Sequence, residues 1–109
     1  MHTKINLSEF RQAFHDMGRG DQFTYEGLEA LFDSFEQYEQ ATDEPIELDV
    51  IAFCCEFAEE TPAAIARDYR IDVSACEDDE EVREVVLDYL DYHTFVCGET
   101  DTTIVYQQF

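Results

Sequence analysis

The chain has 109 residues, with 27 Asp and Glu against 6 Lys and Arg and a formal net charge of −21. That length supports one domain around one core, and an apolar content of 45% with nine Phe and six Tyr argues against disorder. The charge argues against direct binding of nucleic acid and against an anionic membrane surface, since both would repel it. The longest apolar run, Val50–Cys55, is too short to span a bilayer.

In chain order, residues 1–10 contain no apolar stretch of the kind a signal peptide needs, so a cytoplasmic protein is expected. Leu7, Phe10, Phe14 and Met17 recur at helical spacing. With Asn6 and Glu9 as a capping box and Gly18 as the stop, they predict a helix over 7–17. Thr24 is the expected N-cap of a second helix over 25–41, with Tyr25, Leu28, Leu31, Phe32, Phe35 and Tyr38 as its apolar face and Pro45 just beyond its end.

Residues 46–55 are ambiguous. Ile46, Leu48 and Val50 alternate with Glu47 and Asp49, and the β-branched and aromatic residues that follow favour a strand; a helix from Leu48 onward is the alternative. Thr61-Pro62 marks a helix start, for a helix over 62–69. Val82, Val85, Val86, Tyr89 and Leu90 form the inward face of a helix over 79–92, whose acidic N-terminus suits the helix dipole. Residues 94–97 and 103–107 flank a polar turn at 98–102 and read as a hairpin. The expected fold is a single α+β domain: about four helices packed on a small, three-stranded antiparallel sheet.

The carboxylates are arranged by element. No Lys or Arg occurs from Asp21 to Ala66, a stretch holding 13 carboxylates, and none occurs from Glu84 onward. Glu26, Glu29, Asp33 and Glu36 share one face of the second helix, opposite its apolar stripe. Glu80, Glu84, Asp88 and Asp91 form a similar row on the last helix, with Arg83 beside it as a local counter-charge. Glu47 and Asp49 point to one side of the expected strand and flank these rows. Like charges at i,i+3 and i,i+4 are each mildly destabilising, and the chain repeats them on two helices. One row places a charge every ~5 Å. Two rows side by side would give one per ~2.6 Å, approaching the one per about 1.7 Å of duplex DNA.

Other chemistry is weakly signalled. His2, His15 and His93 form no HxH or HExxH pattern, so no metal, no cofactor and no catalytic activity are expected. Cys54, Cys55, Cys76 and Cys97 contain no CxxC and read as reduced, mostly buried small hydrophobes. Gly18-Arg19-Gly20 is a helix stop, not a phosphate loop. Residues 76–81 are acidic enough for a hard cation but lack the glycine of an EF-hand loop, and capping of the following helix explains them.

Three blocks, Phe23–Phe32, Pro45–Ala52 with Cys54-Cys55-Glu56, and Ile104–Phe109, resemble a group of small acidic proteins of phages and mobile elements. In size and charge the chain is similar to phage anti-restriction and anti-CRISPR DNA mimics. That resemblance implies an inhibitor but supplies no site residues. Charge and resemblance together lead to an expected function: occupying the nucleic-acid-binding surface of a basic host defence protein, with a CRISPR effector complex foremost. The alternative is an acidic adaptor or antitoxin-like module that binds a basic protein without mimicry. Adaptation to high salt would also produce an acidic surface, although many Phe and Tyr sit poorly with it.

Overall fold

The computed structural model describes residues 5–109. The elements run α1 (Leu7–Asp16), α2 (Tyr25–Thr42), α3 (Val50–Glu56), β1 (Phe57–Glu60), α4 (Pro62–Asp68), α5 (Asp79–His93), β2 (Val96–Glu99) and β3 (Ile104–Gln107). The strands form one antiparallel sheet in the order β1-β3-β2. The fold is therefore α+β, with five helices among the described residues.

The caps follow the sequence. The Asn6 side chain accepts the Glu9 N–H at 2.8 Å, and the Glu9 carboxylate accepts the Asn6 N–H at 3.1 Å, closing the capping box. Thr24, Thr61 and Asp78 cap α2, α4 and α5 through their side-chain oxygens. Gly18, at φ 71°, takes the left-handed conformation that turns the chain away from α1.

The expected strand over 46–55 is not formed. Residues 43–49 are irregular, and Asp49 caps α3 by accepting the Ala52 N–H at 3.1 Å. Helical spacing prevails over alternation because Val50 and Phe53, at i and i+3, enter the core and Cys54, at i+4, packs against it. Ile46 and Leu48 still pack against that core from the irregular segment, with the Ile46 N–H held by the Glu39 carboxylate at 2.6 Å. The third strand is instead Phe57–Glu60, which follows α3 without a loop.

Residues on the sheet alternate between two layers. Phe57 and Val105 join Phe10, Phe14, Leu28, Leu31, Phe32, Phe35 and Phe53 in a phenylalanine-rich cluster beneath α1, α2 and α3. Ile104 and Tyr106 join Ile65, Ala66, Val86 and Leu90 beneath α4 and α5. The central strand β3 is thus buried on both faces, and the sheet lies between two helical layers. Burying each large side chain contributes roughly 1.5–3 kcal/mol, which sets the core against the self-repulsion of the surface. A β-bulge between Val96 and Gly98 lets Gly98 pair with Val105 and abut α2, where a Cβ would press on Ala30.

Several side chains expected inside are not. Met17 and Tyr25, at the ends of α1 and α2, are exposed, and so is Tyr38, a turn before the end of α2. None of the four cysteines is fully buried. Cys55 is exposed, since α3 turns it away from the Val50–Phe53 stripe, and the others are half-buried free thiols.

Candidate functional site

The two carboxylate rows do not lie together. Glu26, Glu29, Asp33 and Glu36 belong to α2, on one side of the sheet; Glu80, Glu84, Asp88 and Asp91 belong to α5, on the other. The side-by-side arrangement contemplated for the two helices is therefore not formed. All four α5 acids are exposed, as are Glu26, Glu29 and Asp33, while Glu36 is half-buried. Glu47 and Asp49 are exposed but stand on no strand, and Asp49 is occupied with capping α3.

A different pairing occurs. Because α2 packs over β2, the first three acids of its row face the β2–β3 turn. Glu26, Glu29, Asp33 and Gln37 line one wall of an open groove of about 670 Å³, and Cys97–Thr102 line the other. Glu99 and Asp101 thereby join the α2 row. The sequence offered a signal for them, two acids within a five-residue turn, but nothing local tied that turn to α2.

The basic residues nearest this groove are committed to structure. Arg11 reaches from α1 to the start of α2, donating to the Tyr25 carbonyl at 2.7 and 3.2 Å, and lies 3.3 Å above the Tyr25 ring. The same guanidinium approaches Glu29 at 3.7 Å, so that carboxylate has a cation despite the absence of Lys and Arg nearby in sequence. Arg83 does not shield the α5 row. It turns to the β2–β3 turn, donating to Glu99 Oε1 at 2.9 Å and to the carbonyls of Thr100 at 3.0 Å and Asp101 at 2.8 Å. Among the described residues, Glu26, Asp33 and Asp101 have no ion-pair partner. These three carboxylates give the groove its uncompensated charge.

The wall of the groove is anchored by Glu59 on β1. Its carboxylate accepts the Thr24 N–H at 2.7 Å and the Thr24 hydroxyl at 2.6 Å, and it also accepts the Thr103 hydroxyl. The Thr24 oxygen in turn accepts the Gly27 N–H at 2.9 Å. One carboxylate at a helix N-terminus, where the dipole favours it, therefore ties α2 to β1 and to the residue preceding β3.

Other reactive groups are muted or solvated. Burial pushes the Cys97 thiol up to about 11, an effect that the Ser34 side chain partly offsets. Burial also raises Cys54, which Arg19 partly offsets. His15 is exposed on α1, and His93, exposed at the end of α5, meets the rings of Tyr89 and Phe109. His2 lies outside the described residues. Among the described residues, no group of three or more His, Cys, Asp or Glu is placed to hold a metal ion, and no helix is long and apolar enough to cross a membrane. The chain matches no protein-family model, no curated protein and no solved structure.

Proposed function

We propose that the protein binds a basic, nucleic-acid-binding protein through the acidic groove between α2 and the β2–β3 turn, and so competes with nucleic acid for that partner. The observation that carries this reading is the convergence of Glu26, Asp33 and Asp101, without ion-pair partners among the described residues, on one groove whose nearby arginines are already engaged. Carboxylates on a rigid helix and a pinned turn meet Lys and Arg without first ordering themselves, which favours fast, salt-sensitive association. The partner class is a host defence protein acting in the cytoplasm, with a CRISPR effector complex the first to assay. No catalytic step and no cofactor form part of this function.

The test is capture of partners from bacterial lysate on the immobilised protein, followed by elution with duplex DNA. Basic partners released by DNA support competition. Partners that are not basic, or that DNA leaves bound, refute it. The exposed rings of Tyr92, Phe95 and Phe109 favour a second reading, an acidic adaptor or antitoxin-like module held by a few apolar anchors. An adaptor would tolerate most single charge changes, whereas a mimic would lose affinity in small steps as carboxylates are neutralised.

A further inference from the structure

Beside the acidic groove lies a second one of different character. Its lining includes Phe35 and Tyr38 of α2, Phe53, Glu56, Phe57 and Phe95, and its volume is about 460 Å³. Phe35, Phe53 and Phe57 form a buried floor, with ring centroids 4.6 and 5.3 Å apart across Phe35. Tyr38 and Phe95, 50% and 54% exposed, are rim residues that the fold leaves in water. Phe95 is not on a loose loop: its carbonyl accepts the Gln107 N–H at 2.9 Å, and the neighbouring Thr94 hydroxyl donates to the Gln107 carbonyl at 2.7 Å. The site is thus a preformed apolar slot of the size that admits one large side chain.

Charge decides which occupant fits. The charged residue lining the slot is Glu56. The slot and the acidic groove flank the same stretch of chain, with Phe95 lining one and Cys97 the other. At a net charge of −21, a second copy of this chain or an acidic peptide would be repelled. We infer that the slot takes an aromatic side chain presented by a Lys- or Arg-rich segment of the partner, with the flanking cations facing Glu56 and the acidic groove. The inference rests on the proposed basic partner and adds the anchor that makes the contact specific, since charge steers encounter and a buried aromatic ring slows release.

The experiment uses three fluorescein-labelled peptides with the whole protein: a Lys-rich peptide with a central Trp, the same peptide with Ala for Trp, and a Trp peptide with its Lys replaced by Gln. Affinities are read by anisotropy on the wild type, on Tyr38→Ala with Phe95→Ala, and on Glu26→Gln with Asp33→Asn and Asp101→Asn, each checked for folding by circular dichroism. The basic Trp peptide should bind about tenfold tighter than its Ala counterpart. The double aromatic variant should abolish that advantage, whereas the acid variant should weaken both basic peptides and preserve their ratio. Equal binding of the Trp and Ala peptides overturns the anchor while leaving the acidic groove standing. If the neutral Trp peptide binds as tightly as the basic one, the basic occupant is wrong. If none of the three peptides binds, both claims fall.

Discussion

Gly27 and Glu59 occupy space that only one side chain can fill. A Cβ at position 27 would overlap the Glu59 carboxylate, which is fixed there by Thr24 and Thr103. The glycine near the start of α2 is therefore needed for close approach and has no conformational role of its own; it admits the carboxylate that ties the helix to the sheet.

Gly27→Ala is expected to destabilise the fold. The methyl group gains about 1 kcal/mol in helix propensity, but displacing Glu59 breaks at least one of its hydrogen bonds to a charged acceptor, each worth about 1.5–3 kcal/mol. A net loss of roughly 1–3 kcal/mol should appear in urea denaturation. The cost should largely vanish when Gly27→Ala is made in a Glu59→Ala background. If the two changes are additive, Gly27 and Glu59 are not coupled as described.

Arg83 should matter more to the turn than to its own helix. Arg83→Ala removes the donor shared by Glu99, Thr100 and Asp101. The turn amides should then exchange faster with deuterium while α5 stays protected. Arg83→Lys should restore only part of the protection, because an ammonium cannot reproduce the planar fork.

Asp33 and Glu29 should respond differently to neutralisation. Asp33 stands between Glu29 and Glu36 on α2 with no cation of its own among the described residues, so Asp33→Asn relieves repulsion. It should gain roughly 0.2–0.5 kcal/mol per relieved pair in dilute buffer, less as salt is added. Glu29→Gln gives up the approach of Arg11 and should show no such gain. A thermal melt series in salt distinguishes the two, and identical behaviour would mean that Arg11 does not act on Glu29.

The isolated protein should melt cooperatively in dilute buffer. Two packed clusters supply the stability, so screening should raise the midpoint without being required for folding. Folding only in molar salt would identify the acidic surface as an adaptation to salt and remove the reason for a basic partner.

Alkaline pH should weaken the fold. The Cys97 thiol is pushed from 9.0 to about 11 by burial, and burial together with the Tyr69 hydrogen bond raises Tyr106 as well. Both groups bind their protons more tightly when folded. Their contribution is therefore intact below the unfolded values and is lost as pH rises, for Cys97 between 9.0 and about 11. Cys97→Ala should flatten the decline of stability across that window. Thiol reagents should label exposed Cys55 long before Cys97.

Local chemistry was enough to determine much of this protein. Asn6, Thr24 and Thr61-Pro62 announce their helices because capping is a matter of a few adjacent residues, and the apolar stripes of α2 and α5 mark their inward faces because helical period is local. The acidic character of α2 was equally legible. Residues 46–55 were not, since Ile46, Leu48 and Val50 suit a strand while Val50, Phe53 and Cys54 suit a helix, and only packing against Phe10 and Phe35 chooses between them. The same holds for the candidate site. Which acids meet depends on the sheet, which separates α2 from α5 and sets α2 over the β2–β3 turn, so that Glu99 and Asp101 join the row while Glu80 and Asp88 lie in the other layer. Arg11 and Arg83 reach Glu29 and Glu99 across 18 and 16 positions of sequence. Pairings of that kind depend on how the layers stack, and spacing along the chain carries no record of them.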